Sequence, residues 1–283
     1  MLKIAIQKSG RLSEGSLSLL KDCDVKFSKG KGKLVTPAQN FPAQVLFLRD
    51  DDIPQYVEDG VADLGIIGEN VLLEHTCEVD LIKRLGFSKC RMSLAIPRTE
   101  AYQGVSYFDK KRIATSYPVI LQKFLDKHNI TAEIHSISGS VEIAPGIGLA
   151  EAVMDIVSTG STLLSNGLKE VETVLKSEAV LIGNRDMDEK KLQILNQLMF
   201  RMESVLKARG FKYVLLNAPN KNVDAIINLL PGMKSPTVLP LAEQGWSSIH
   251  SVLDESKFWQ IIDQLKALGA EGILIVPIEK MVL

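Results

Sequence analysis

Leu2-Lys-Ile-Ala-Ile-Gln-Lys-Ser-Gly-Arg-Leu-Ser-Glu-Gly-Ser-Leu-Ser-Leu-Leu-Lys21 decides the fold class. Leu2–Gln7 is a short apolar strand, and Lys8-Ser-Gly-Arg-Leu12 is a polar turn. Ser13–Lys21 carries Leu17 and Leu20 at helical spacing. The same rhythm repeats downstream. Gln44–Leu48 reads as a strand, followed by a helix that Asp52 can cap, with Pro54 in its first turn and Gly60 just past its end. Ala62–Gly68 reads as a third strand, and Gly68-Glu-Asn70 leads into another helix. Strand, helix, strand in succession predicts a mostly parallel sheet with helices on its faces.

A second lobe begins near Cys90. Arg91–Pro97 and Arg112–Ser116 read as strands, Tyr117-Pro118 opens a helix to about His128, and Ala132–Ser136 is the next strand. Ala179–Gly183 is apolar again and could return the chain to the first lobe. The expected boundaries are 1–90 for the first lobe, with 178–208 returning to it, 91–177 for the second, and 209–283 for a separate unit. Glu189–Arg209 is a long helix with Leu192, Leu195, Leu198, Met199, Met202, Val205 and Leu206 at three- and four-residue spacing. Beyond it, strands at Phe211–Asn217, Thr237–Ala242, Ser247–Leu253 and Gly272–Ile278 and helices at Asn222–Leu230 and Ser256–Leu268 give the order β-α-β-β-α-β of a ferredoxin-like domain.

Composition narrows the function classes. The chain has 283 residues, 46% hydrophobic and 24% charged, enough for a soluble protein of two or three domains. A net charge of −1 gives no basic field for nucleic acid. No apolar run approaches the roughly 20 residues of a membrane span. No signal peptide is recognised before the first strand, so the expected compartment is the cytoplasm. Cys23, Cys77 and Cys90 are odd in number, lack a CxxC spacing and read as free thiols; the four scattered histidines argue against a zinc site.

Chemistry concentrates in Glu142–Leu163, EIAPGIGLAEAVMDIVSTGSTL. A hydroxyl-rich turn around Gly160 can hold a phosphate: glycine lets the backbone approach, successive N–H groups face the concavity, and Thr159, Ser161 and Thr162 add hydroxyls. Asp155 could hold the hydroxyls of a ribose attached to that phosphate. The same letters also suit an ordinary turn and helix cap. Gly146-Ile-Gly148 lacks the third glycine of a dinucleotide fingerprint, and no GxxxxGK[ST] is present. Lys8, Gly10 and Arg11 sit where a strand ends, as do Arg49 and its three following aspartates. Asp50–Asp52 read as a solvated turn and cap, leaving Arg49 to face a ligand. Lys29-Gly-Lys-Gly-Lys33 reads as a solvated basic hairpin tip.

Glu142, Gly148, Ala150, Val153, Asp155, Ile156, Thr159, Gly160, Thr162 and Leu163 together resemble the signature of the ATP phosphoribosyltransferase family. Lys8–Leu12 resembles the family's K-G-R-L element, Arg49–Pro54 its R-x-x-D-I-P element, and Gly232–Leu241 its G-x-x-x-P-T-V-x-P-L segment. Asn70 departs from the aspartate that many members carry. The resemblance covers essentially the whole chain and implies a catalytic region like the two-lobed periplasmic binding proteins plus a regulatory domain. It implies that adenine N1 of ATP joins C1 of phosphoribosyl pyrophosphate, with Mg²⁺ on the departing pyrophosphate. It further implies Asp155, Glu142 and Lys8 as catalytic; Asp155, Ser158, Thr159, Gly160, Ser161 and Thr162 on phosphoribosyl pyrophosphate; and Gly10, Arg11, Arg49 and Asn70 on ATP. Histidine would bind as inhibitor near Asn217, Met233, Ser235 and Thr237, and the chain would form dimers and hexamers. Two other classes share parts of the pattern: a phosphoribosyltransferase with another acceptor, and a non-catalytic solute-binding protein.

Overall fold

A computed structural model describes residues 1–27, 34–230 and 232–282. The basic segment Lys29–Lys33 lies outside the described residues. The chain divides into two compact units, Met1–Asn196 and Gln197–Leu283.

The first unit holds two sheets. In chain order its first half runs β1 (Leu2–Gln7), α1 (Arg11–Asp22), β2 (Val35–Pro37), β3 (Ala43–Leu48), α2 (Ile53–Glu58), β4 (Leu64–Gly68), α3 (Glu69–Glu74) and β5 (Asp80–Arg84). The second half runs β6 (Cys90–Pro97), β7 (Arg112–Thr115), α4 (Pro118–Lys127), β8 (Glu133–Ser136), β9 (Ala152–Val157), α5 (Ser161–Ser165) and β10 (Leu168–Ser177). β11 (Ala179–Gly183) then joins the first sheet, whose order is β2-β3-β1-β4-β11-β5. β3, β1 and β4 are parallel; β2, β11 and β5 pair antiparallel to their neighbours. Leu2, Ile4, Ile6, Leu64, Ile66 and Leu181 are fully buried, as near-continuous apolar runs covered on both faces should be.

The second sheet has the order β10-β6-β9-β7-β8, with β8, β7 and β9 parallel and β6 and β10 antiparallel. Its core gathers Met92, Leu94, Ile96, Phe108, Ile113, Leu121, Leu125 and Met154 on one face, and Ala95, Ala114, Val153, Val157, Leu163 and Leu168 on the other. Two short segments connect the sheets, from β5 to β6 and from β10 to β11. They touch where Ala179 donates its N–H to the Phe87 carbonyl at 2.9 Å.

Sequence and structure differ in instructive places. Asp50–Asp52 form a single 3-10 turn before α2, and Asp52 makes no side-chain cap; Pro54 in the first turn sets the helix start instead. β2, β5 and β10 are strands that the hydrophobic pattern does not announce.

The boundary between the units falls inside α6 (Glu189–Ala208). The second unit continues with β12 (Phe211–Pro219), α7 (Val223–Leu229), β13 (Thr237–Pro240), β14 (Trp246–Asp254), α8 (Glu255–Ala267) and β15 (Glu271–Pro277). Its antiparallel sheet, ordered β13-β14-β12-β15, has ferredoxin-like connectivity. Val214, Leu216, Ile249 and Leu253 pack on Ile226, Phe258 and Leu265 of the helices. Asp254 caps α8 by accepting from the Ser256 N–H at 2.8 Å. Among the described residues, no disulfide joins Cys23, Cys77 or Cys90.

Candidate active site

The carboxyl ends of the parallel strands in both sheets carry the polar residues, as α/β folds favour. After β1 come Lys8, Gly10 and Arg11, all exposed, with the Lys8 N–H donated to the Leu48 carbonyl at 2.8 Å. That bond places the Lys8 turn beside Arg49, which follows β3 in extended backbone and is also exposed. After β4 comes Asn70, and after β9 comes Ser158–Thr162.

The loop after β9 is built to present N–H groups. Gly160 adopts φ 84° and ψ 0°, a left-handed conformation that a Cβ disfavours, and this bend turns the chain into α5. Among the described residues, no hydrogen bond is made to the backbone N–H of Thr159, Gly160, Ser161 or Thr162. Unpaired N–H groups around such a bend form an anion-binding concavity. Thr159 Oγ1 and Ser161 Oγ lie 3.1 Å apart at its lip. Arg11 reaches this loop from the first sheet, Nη1 donating to Ser158 Oγ at 3.1 Å.

Asp155 sits two residues before the end of β9. Burial pushes its carboxyl above the ordinary range, partly opposed by the Ile156 N–H donated to Oδ1 at 2.7 Å; the nearby Glu142 pushes it up further. Glu142 is half-buried in a short 3-10 turn, Val141–Ile143. The Asp50 carboxyl is raised as well, by burial first and then by Asp51.

Asn70 is only 4% exposed. Its Oδ1 accepts from Ser177 Oγ at 2.9 Å, and its N–H donates to the same oxygen at 3.1 Å. Its amide also opposes the rise of the Tyr117 phenol's pKa. Asn70 therefore joins the two lobes rather than presenting a free amide. Gly68 permits this packing, since a Cβ there would lie 2.4 Å from Asn70 Oδ1.

Tyr117 is one residue that the sequence does not announce as part of the site. It was legible only as the start of α4, yet it stands at the carboxyl end of β7, where site residues gather. Burial raises its phenol well above the ordinary value, with the charges of Asp51, Asp50 and Asp155 adding to the shift. Burial and negative charge from both lobes thus keep the phenol protonated. α4 behind it is held by Glu74 of the first lobe, which accepts from the N–H groups of Val119 at 2.8 Å and Ile120 at 3.0 Å.

A cavity of about 610 Å³ lies along the connections between the two sheets; of the residues above only Ser158 and Ser177 line it, with Glu69, Arg84, Lys89 and Arg91 among its other walls, and Asp155, Tyr117 and Thr159–Thr162 lie outside it. Arg84 is paired with Glu69 and Arg91 with Glu170. Among the described residues, no three of His, Cys, Asp and Glu cluster to hold a metal.

The sequence model of the ATP phosphoribosyltransferase family matches residues 49–204, and that of the family's C-terminal domain matches residues 208–280. The chain belongs to the ATP phosphoribosyltransferase family. With both regions present it is a long-form member, acting in histidine biosynthesis. The ATP phosphoribosyltransferase of Phocaeicola vulgatus is 61% identical over 283 residues, covering all of both chains. That of Bacteroides thetaiotaomicron is 60% identical over 282 residues, again end to end. Among solved structures, the "ATP phosphoribosyl transferase (HisG:HisZ) complex from Thermotoga maritima" holds a chain 31% identical to this one, with a TM-score of 0.60. The match covers 72% of this chain and 99% of that chain. A putative periplasmic sulfonate-binding protein from Methylobacillus flagellatus matches with TM-score 0.51 at 14% identity, over 80% of this chain and 72% of that one, and shows the two-lobed fold alone.

In the second unit, residues implied for an effector lie on both sides of the sheet. Asn217 pairs with Ser248 and Thr237 with His250, on the face away from α7 and α8. Gly232, at the start of the loop bearing Met233 and Ser235, lies against Ser251, where a Cβ would come 3.0 Å from Oγ. Among the described residues, Ser251 Oγ is buried without a hydrogen-bond partner. Both ring nitrogens of His250 are engaged, Nδ1 with Tyr213 at 2.7 Å and Nε2 with Ser248 at 3.0 Å.

Proposed function

We propose that the loop after β9 binds the 5′-phosphate of phosphoribosyl pyrophosphate and that ATP enters from the first lobe. The observation that carries this reading is the bend at Gly160, with four unpaired N–H groups next to Asp155 and reached by Arg11. The reaction breaks the bond from C1 to the pyrophosphate oxygen and forms a bond from C1 to adenine N1. Positive charge builds on the ribose as the pyrophosphate leaves, so the site must orient two anions and stabilise the leaving group.

Asp155 would hold the ribose hydroxyls, and its ionised form would offset the ring charge. Glu142 keeps a second negative charge near it. Lys8, Arg11 and Arg49, with Gly10 allowing close approach, would meet the phosphates of ATP and the leaving group. Asn70 would act through its two hydrogen bonds to Ser177, holding the junction of the lobes. Positioning suffices for this chemistry, and no side chain is assigned as general base.

Mg²⁺ is the cofactor we assign, neutralising pyrophosphate charge. Asp155 and Glu142 are hard oxygen donors of the right kind, but two carboxylates without a third donor fit a metal carried chiefly on substrate phosphates. We also assign histidine inhibition to the second unit, a cytoplasmic setting, and assembly into homo-oligomers. Among the described residues no helix is long and apolar enough to cross a membrane. Leu274 and Val276 of β15 are 56% and 46% exposed, an apolar edge that a second copy would cover.

An ultraviolet assay for phosphoribosyl-ATP tests the reading. Purified protein is mixed with ATP, phosphoribosyl pyrophosphate, Mg²⁺ and pyrophosphatase, with and without histidine. Turnover with ATP is expected. Folded protein that releases no pyrophosphate with any acceptor would overturn it.

A further inference from the structure

We infer that Arg91, held by Glu170, is a positioning residue that aims the phosphate loop. Arg91 stands at the start of β6, opposite Val157 of β9. Its Nη1 donates to the Ser158 carbonyl at 3.4 Å. In a planar trans peptide the carbonyl of one residue and the N–H of the next point in opposite directions. Turning the Ser158 carbonyl toward Arg91 therefore turns the Thr159 N–H away from it, into the concavity around Gly160. The contact is long for a hydrogen bond, so its effect depends on where the guanidinium is fixed.

Glu170 fixes it. Nε and Nη2 of Arg91 donate to Oε1 and Oε2 of Glu170, both at 2.5 Å, in the fork geometry that a lysine cannot copy. Ser93 Oγ donates to the same Oε1 at 2.8 Å, and Ser93 is fully buried directly opposite Asp155. The ladder shifts register between Glu170 and Glu172, a bulge that re-aims side chains on β10. One connected group, Glu170 with Arg91 and Ser93, thus runs from β10 beneath both Asp155 and the loop. Arg11 holds the Ser158 side chain from the other lobe, so the residue opening the loop is gripped by two guanidinium groups.

This inference rests on the reading that the loop binds phosphoribosyl pyrophosphate. The test uses the full-length protein with Arg91→Lys, Glu170→Gln and the pair together, and Thr162→Val and Gly160→Ala as variants of the loop itself. KM for each substrate, kcat, calorimetric binding of phosphoribosyl pyrophosphate without ATP, and the melting midpoint are measured. Arg91→Lys and Glu170→Gln should each weaken phosphoribosyl pyrophosphate roughly tenfold while the ATP KM moves less than about twofold. The double variant should be little worse than Arg91→Lys alone, because the two act in one chain. If the loop variants weaken phosphoribosyl pyrophosphate but Arg91→Lys and Glu170→Gln do not, this inference fails and the loop reading stands. If both KM values rise together with a lower melting midpoint, Arg91 is merely structural and the inference fails. If the loop variants too leave binding unchanged, the loop reading itself is lost, and the inference with it.

Discussion

At the residue scale, Asp155 shows how the proposed site would set function against stability. Its folded-state carboxyl is raised, so the native protein binds a proton more tightly than the unfolded chain does. The ionised side chain is therefore destabilising at neutral pH, and that cost is relieved as pH falls through the raised value. Asp155→Asn should raise the melting midpoint or leave it unchanged at pH 7, while kcat falls by roughly a hundredfold or more. Unchanged turnover would remove Asp155 from the reaction. In the unsubstituted enzyme, activity should decline on the acid side at a higher pH than an ordinary aspartate would give, and a kcat/KM profile measures this. Asp155 and the loop were legible because one short stretch carries them. Tyr117, Arg91 and Glu170 were not, because they reach the site through strand pairing. Arg91 and Glu170 are 79 residues apart, and no local spacing announces such a pair.

At the element scale, the strongly periodic pieces were legible in the sequence, and the edge strands were not. β1, β3, β4 and β11 are apolar runs because both faces are covered. β10 is half-exposed, carries Lys169, Glu170, Glu172 and Lys176, and shifts register twice, so the two-residue alternation never shows. β2 is a three-residue edge strand ending in Pro37, which cannot extend a ladder inward. Packing between elements gives two predictions. Gly15 of α1 faces the ring of Phe87 in the connection between the sheets, where a Cβ would lie 2.5 Å from two ring carbons. Alanine gains up to about 1 kcal/mol of helix propensity, but overpacking costs about 1–3 kcal/mol. Gly15→Ala should therefore destabilise, and Phe87→Leu should rescue it; a more stable single variant would show that the ring moves aside freely. Glu151 joins the start of β7 to β9 by accepting from the Arg112 N–H at 2.8 Å and from its guanidinium. The Arg112 hydrogen bonds pull the Glu151 carboxyl down to about 2. A depressed carboxylate stabilises above its unfolded value, and that contribution is lost as pH falls from about 4.5 to about 2. The pair is partly exposed, so Glu151→Gln should cost no more than about 1 kcal/mol at pH 7, and nothing near pH 2. A denaturant series at the two pH values measures the difference.

At the scale of the whole molecule, two units with separate cores would make the proposed histidine inhibition a coupling between sites rather than a competition within one. The β-α-β-β-α-β order of the second unit was legible from its alternating patterns, whereas its effector chemistry was legible only by resemblance, since short polar residues on an open sheet face specify no ligand. Asn217 and Thr237 share that face, whereas the loop of Met233 and Ser235, which leads into the edge strand β13, starts beside Ser251 on the opposite one. If histidine binds there, losing one hydrogen bond to it should weaken its affinity by roughly tenfold, the equivalent of about 1.4 kcal/mol. Asn217→Ala and Thr237→Val should therefore each raise the histidine concentration for half-inhibition about tenfold. Removing residues 209–283 should abolish inhibition altogether, with circular dichroism confirming that the remaining chain is folded. Coupling in binding must be reciprocal: if histidine weakens phosphoribosyl pyrophosphate, that substrate weakens histidine by the same factor. Titrating histidine with and without the substrate measures that factor directly. Inhibition that survives the removal of residues 209–283 would put histidine in the catalytic unit and end the regulatory assignment.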